Sequence, residues 1–341
     1  MSGTEPGLSG EKAVGGGIGP KKILGFVVAV LGIQLAFIAS YVTAFHAPSP
    51  QHIRVAVVAP ADVRTRVAAQ LNSITGSPLA ASPANSDEAA LAALQAGDTS
   101  AVFTVDENGN TDTLTVASAG GSSVAAAAQR VFEQVEKATG RTVTITDAVP
   151  AQSGDGRGLT GFYMVTGWLV GGYLLAAVLG ILLGAKLTGA KEAAARMGIF
   201  VPYAVLGGIG GALIVDQGLS AMTGHFWAVA GVGALVVMSS AMVTLALQSL
   251  FGIIGIGITI LLFVVLGNPS AGGAYQAELL PPLWRALSSA LPNGAGTTAL
   301  RGIVYFDGHR VTGSFVLIAV YAVAGIAVTL LASVRRGRRI A

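Results

Sequence analysis

Six apolar stretches constrain this chain more than any other feature: Ile23–Phe45, Leu159–Ala185, Gly198–Val215, Phe226–Leu247, Phe251–Gly267 and Gly313–Val334. Each is near the roughly 20 residues a helix needs to cross a bilayer. Lipid offers no partner to a backbone N–H or C=O, so such stretches are helices rather than open strands. One stands alone near the N-terminus and five follow residues 46–158. The sequence therefore predicts an α-helical integral membrane protein with six spans, arranged 1 + 5 around an inserted domain.

Composition agrees. The 341 residues are 52% apolar and 11% charged, with a mean hydropathy of +0.69, whereas soluble globules carry about 25% charged residues. The absence of cysteine excludes disulfides, thiolate zinc sites and iron–sulfur clusters. The pI near 9.3 invites a nucleic-acid reading, but the charges sit where topology wants them. Segments 1–22, 186–197 and 334–341 hold 10 Lys+Arg against 3 Asp+Glu, and segment 46–158 holds 7 against 11. Basic flanks mark the cytoplasmic side, which predicts a multi-pass plasma-membrane protein with both termini inside and an outer domain at 46–158. The first stretch exceeds a signal-peptide core and no A-x-A site follows it, so it reads as a retained anchor. The basic tail 335–341 reads as a topology signal and headgroup contact, with no nucleic-acid partner.

Residues 46–158 read as a β-α-α-β-β-α-β unit. IRVAVVA (Ile53–Ala59) is strand-like, and Pro60 opens a helical stretch from Ala61 to Thr75. SDEAALAALQAGD is a second helix, capped by Asn85 or Ser86 and stopped by Gly97. AVFTV and DTLTVA alternate around Asn108-Gly109, a hairpin signal. A long helix from Ser122 carries Val124, Ala128, Val131 and Val135 on one face, and TVTIT (Thr142–Thr146) closes the unit. No nucleophile elbow, zinc-protease or calcium-loop motif occurs. His46, His52, His225 and His309 are scattered without ligand spacing. No cofactor, metal site or enzymatic activity is expected.

The spans hold almost no ionisable groups. Proton- or sodium-coupled carriers usually need one at mid-membrane, which argues against a self-sufficient secondary transporter. Gln34 is the clearest polar residue in a span, either a helix–helix hydrogen bond or part of a substrate path. Small-residue spacings recur at Gly167/Gly171, Gly180/Gly184 and Gly207/Gly211, suited to close helix packing within the chain or between protomers. Before the last span, Pro282 opens an amphipathic helix with Leu283, Trp284, Leu287 and Leu291 on one face. A second stretch runs from Thr297 to Phe306. Residues 280–306 read as an interfacial or re-entrant hairpin, with Trp284 and Tyr305 at headgroup depth and Arg285 and Arg301 snorkelling to it.

Three stretches carry a resemblance to a known family: LAALQAGDTSAVFTV, DAVPAQSGDGRGLTGFYMVTGWLVGGYL and LPPLWRALSSALPNGAGTTALRGIVYF. With the order of elements over about residues 50–335, they resemble the membrane subunits of type-2 ABC exporters, more closely the phage-infection-protein (YhgE/Pip-like) branch. The resemblance implies export of a hydrophobic or amphipathic molecule by a homodimer or heterodimer in the bilayer, powered by a separate nucleotide-binding ATPase. No G-x-x-x-x-G-K-[ST] loop occurs in the chain. The resemblance also implies that KLTGAKEAAAR, with Lys186, Lys191 and Arg196, meets that ATPase, the other reading being a short basic loop that only fixes topology. On the residues themselves, Gln34, Trp284, Arg285 and Arg301 are the candidates for a substrate path or outer gate, the other reading of the hairpin being simple anchoring of the loop. Residues 1–22 depart from the family, being Gly-rich where an amphipathic helix is usual; they read as a disordered cytoplasmic tail. That departure keeps a second reading open: a non-transporting scaffold or receptor whose outer domain binds envelope or secretion partners.

Overall fold

The computed structural model describes residues 19–340. Most of the predicted N-terminal tail, residues 1–18, lies outside them. The rest of it, from Pro20, is the first turn of α1 (Pro20–Phe45), where a proline's missing N–H goes unneeded.

After α1 the chain enters a small α/β domain: β1 (Ile53–Val58), α2 (Arg64–Asn72), β2 (Leu79–Pro83), α3 (Asp87–Gln95), β3 (Ala101–Thr104), β4 (Thr111–Val116), α4 (Ser122–Thr139) and β5 (Thr142–Asp147). The sheet order is β2-β1-β3-β4-β5. β1 runs parallel to β2 and β3, β3 and β4 form an antiparallel hairpin, and β5 runs parallel to β4. The expected β-α-α-β-β-α-β order is corrected by one strand. β2, sequence LAASP, is short, small-residued and ends in proline, so it carries no periodic signal. It pairs only with β1, at the sheet edge where a proline is tolerated.

Period-2 alternation then sorts the core. Ile53, Val55, Val57 and Phe103 join Leu71 of α2 and Phe132 of α4 on one face, with Phe103 stacked on Phe132 at 4.5 Å. Ala56 and Val102 join Ala90 and Leu94 of α3 on the other. Ser86 caps α3, its hydroxyl accepting from the Ala89 N–H at 3.1 Å, and Gly97 ends that stretch at φ +70°.

The second half holds α5 (Thr160–Leu183), α6 (Ala190–Ala212), α7 (Phe226–Phe251), α8 (Ile254–Ile260), a π-wound stretch Leu261–Leu266, α9 (Gly267–Ser270), α10 (Pro282–Ala290), α11 (Pro292–Tyr305) and α12 (Thr312–Ile340). Among the described residues five helices are long and apolar enough to cross a membrane: α1, α5, α6 with its π-wound extension, α7 and α12. The expected fifth stretch, Phe251–Gly267, is instead the shorter apolar run Ile254–Ser270. It starts after Gly252 breaks α7 at φ +65°. At about 1.5 Å per residue it is about 25 Å long, below the roughly 30 Å of a hydrocarbon core. The expected basic tail from Arg335 continues α12.

α7 is the central helix of the bundle, flanked by α5, α6 and α12. Glycines set how closely they approach. A Cβ on Gly208 would collide with the Ala230 carbonyl oxygen, and one on Gly172 with that of Val237. Buried polar side chains of α7 reinforce the contact with α5. The Ser240 hydroxyl donates to the Leu169 carbonyl at 2.8 Å, and the Gln248 amide donates to that of Ala176 at 3.0 Å. By contrast α1 is exposed along most of its length and touches the rest through one side, from Ile33 near Gly257 to its C-terminal end. There Ala44 packs on Leu280 and Trp284.

Candidate functional site

The most developed site lies where the α/β domain sits on one end of the bundle. The N-terminal ends of β1 and β3 and the C-terminal end of β4 point there, and residues 271–280 and 306–310 rise to meet them. Leu279 enters the α2/α4 face of the sheet and Phe306 the α3 face, so the two clasp the sheet from opposite sides. Phe306 fits because its neighbours lack side chains. A Cβ on Gly97 would lie 3.4 Å from the ring and one on Gly120 3.1 Å. The Gln276 side chain fills the space beside Gly121 and accepts from the Val124 N–H at 3.3 Å.

Hydrogen bonds lace the same junction. The Gln51 N–H donates to the Glu278 carbonyl at 2.9 Å, and the Ser123 hydroxyl donates to the Ala274 carbonyl at 2.7 Å. Tyr305 donates to the Asp155 carboxylate at 2.6 Å, while Gln152 accepts from the Thr223 N–H at 2.8 Å. Arg310 pairs with Asp98 at 2.9 Å.

Between these contacts lies a cavity of about 220 Å³. Arg54 of β1 lines it from the domain, Arg301 of α11 from the bundle, and Arg310, Glu278 and the imidazole of His309 complete its ionisable lining. Arg301 is 8% exposed. Its Nη2 donates to the Gly272 and Gly158 carbonyls at 2.8 and 3.2 Å, and its Nε has no acceptor. The Arg54 side chain is half-buried and makes no hydrogen bond or ion pair among the described residues. Burial pushes the pKa of both guanidiniums below the usual arginine value. The nearby Arg310 charge adds to this at Arg54, and Asp155 and Glu278 oppose it at Arg301.

The predicted site residues fall in separate places. Arg285 does sit at the junction, its guanidinium donating to the Ala277 carbonyl at 3.1 Å and to the Gln51 side chain. Arg301 does not snorkel to a headgroup zone; it is buried, because two backbone carbonyls accept from it inside the fold. Trp284 is 5% exposed, packed with Ala44 and Leu280 rather than placed at a water boundary, whereas Leu283 beside it is 62% exposed. Gln34 lies alone on an exposed face of α1 and has no hydrogen-bond partner among the described residues. The proposed path residues are thus not brought together as one set.

At the opposite end of the bundle Lys186 and Lys191 are exposed but Arg196 is not. It donates to the Gly184 and Leu183 carbonyls at 2.6 and 3.3 Å and pairs with Glu192 at 3.2 Å. This is a helix C-cap by a basic side chain: the last carbonyls of α5 lack partners and draw the guanidinium in. Arg336 of α12 donates to the Leu187 and Ser249 carbonyls at 3.1 and 2.6 Å, tying the same turn to α7 and α12. Gly207 and Gly211 serve packing within the chain. The Gly207 carbonyl accepts from the Trp168 indole at 2.9 Å, and a Cβ on Gly211 would come within 2.6 Å of that ring.

Sequence reasoning missed Arg54 and Arg310, and set His309 aside as one of four scattered histidines. The available signal was Arg54 itself, a lone charge among the residues of IRVAVV that α3 covers. Its partner Arg301 was visible only as part of an amphipathic stretch.

The chain matches no protein-family model, no curated protein and no solved structure. The functional reading therefore rests on the geometry above.

Proposed function

We propose that this chain is the membrane-spanning permease subunit of an ABC-type exporter, moving a hydrophobic or amphipathic molecule and powered by a separate ATPase. The observation that carries the reading is the turn 184–189 at the far end of the bundle. Arg196 of α6 and Arg336 of α12 anchor it to those two helices from two sides, and Arg336 reaches α7 as well, while Lys186 and Lys191 stay exposed. A loop that only set topology would need no buried anchors. A loop that receives force from a cytoplasmic motor must be rigid against the helices it moves.

Chain tracing supports six crossings. α7 ends beside that turn, and α12 starts beside the α/β domain. Residues 254–270 carry the chain from one end of the bundle toward the other and form the sixth, short span. Six crossings put both termini on one side, with Lys186, Lys191 and Arg335–Arg339 on the cytoplasmic face and the α/β domain outside. Two subunits pair in this reading. α1 offers the second subunit a face on which Gln34, at the centre of an apolar span, would find the partner an amide in lipid needs.

The test is the composition of the complex. Full-length tagged protein, extracted in mild detergent, should bring with it a P-loop ATPase at near-equal stoichiometry. The double variant Lys186→Glu/Lys191→Glu should lose that ATPase while still reaching the membrane. Recovery of envelope or secretion proteins without an ATPase would overturn the permease reading in favour of a scaffold.

A further inference from the structure

The cavity between the α/β domain and the bundle holds more positive charge than the fold uses. Arg310 already has Asp98, and among the described residues Glu278 is the one carboxylate lining the cavity beside three guanidiniums and His309. Arg54 has no partner among the described residues. Arg301, more than nine-tenths buried, keeps an Nε without an acceptor. Burial depresses both guanidiniums despite the opposing charges of Glu278 and Asp98 near Arg54 and of Asp155 and Glu278 near Arg301, and a buried charge left short of partners is destabilising. A guanidinium presents its donors in a planar fork that matches a carboxylate or phosphate. The remaining lining includes Ser288 and Thr298. The volume, about 220 Å³, is below the roughly 300–1,000 Å³ of a pocket that encloses a drug-sized ligand. It suits a head group rather than a whole amphiphile.

We propose that this cavity binds an oxyanion head group, phosphate or carboxylate, with Arg301 holding it from the bundle and Arg54 from the α/β domain. Because the two arginines belong to different domains, an anion there bridges them and strengthens the seating of one on the other. That the head group belongs to the transported amphiphile rests on the permease reading; the site itself does not.

The experiment uses the full chain in neutral detergent and follows its thermal unfolding against two probes, inorganic phosphate and dihexanoyl phosphatidic acid, with sodium chloride at matched ionic strength as the reference. A ligand that binds only the folded state raises the midpoint in a saturable way. Arg54→Gln removes a half-buried charge with no hydrogen-bond or ion-pair partner among the described residues, so its unliganded midpoint should lie at or above the parent's while its apparent affinity falls at least tenfold. Arg301→Gln should lose the response altogether, but it also removes a buried structural donor, so Arg54→Gln carries the test. Response to both probes, or to inorganic phosphate alone, supports the site with a free anion as ligand. Response to the phosphatidate alone supports it with a lipid-like ligand. No response to either probe, or an equal response in Arg54→Gln, overturns the proposal. Neither result touches the ATPase test, so failure here and failure of the permease reading are separable.

Discussion

Phe306→Ala should weaken the seating of the α/β domain on the bundle by about 3–5 kcal/mol, the range for truncating a buried phenylalanine. The ring is 8% exposed and packs with Ala90, Leu94, Val102 and Ala117. It stands between Gly97 and Gly120, where no side chain exists to move into the space it leaves. The other contacts of the junction are Leu279 on the opposite face of the sheet, hydrogen bonds and an exposed ion pair, and exposed pairs contribute little, about 0–1 kcal/mol. Chemical unfolding of the full chain in detergent checks this. The parent should unfold domain and bundle together, and Phe306→Ala should show an earlier, separate transition for the domain. Leu283→Ala, at a side chain 62% exposed, should leave the curve unchanged. A Phe306→Ala curve that overlays the parent would mean that the junction is held by something other than this clasp.

Stability should also fall as pH rises from about 4.5 to about 7, and Glu136 is the reason. Its carboxylate is 4% exposed, lacks a hydrogen-bond partner for Oε2 and lies 3.7 Å from Arg141 Nε. The guanidinium is already committed to Asp112, donating at 2.7 Å. Burial first, then the hydrogen bond and charge of Asp112, push Glu136 up to about 7. The folded state thus holds a proton that the unfolded chain releases near pH 4.5. The associated stability is complete below that value and disappears as pH rises through about 7. Its size is on the order of 3 kcal/mol, since each tenfold gain in proton affinity is worth about 1.4 kcal/mol. Asp112 behaves oppositely. Burial raises it, but the Arg141 hydrogen bond and the Asp106 N–H bring it below the usual value, so its contribution disappears on acidification. Glu136→Gln should flatten the loss between about pH 5 and 8 in thermal unfolding. A slope that persists in that variant would assign it to other groups.

The helices and most strands were legible because each has a local signal. A run such as Ile23–Phe45 has no alternative in lipid, and IRVAVV alternates with period 2. β2 was not legible, because LAASP becomes a strand only through its pairing with β1. The site was legible only in part, for the same physical reason. Arg285, Arg301 and Trp284 stood out by residue type, but their burial depends on contacts with residues more than 100 positions away, such as Gly158 and Ala44. Arg196 looked like a surface charge in a basic loop. Its role follows from the unpaired carbonyls at the end of α5, visible only once that helix has an end. Arg54 gained meaning only when the fold placed it across a cavity from α11.

The sides of the membrane are the claim on which the other functional statements depend, and the chain suits a direct test because it contains no cysteine. Single cysteines would be placed at Asn108, in the exposed β3–β4 connection, and at Lys191, exposed at the start of α6. Intact cells would then be treated with a membrane-impermeant maleimide before and after permeabilisation. Asn108→Cys should react in intact cells, and Lys191→Cys only once the membrane is opened. Labelling of Lys191→Cys in intact cells would put the anchored basic turn beyond the reach of a cytoplasmic ATPase and contradict the account.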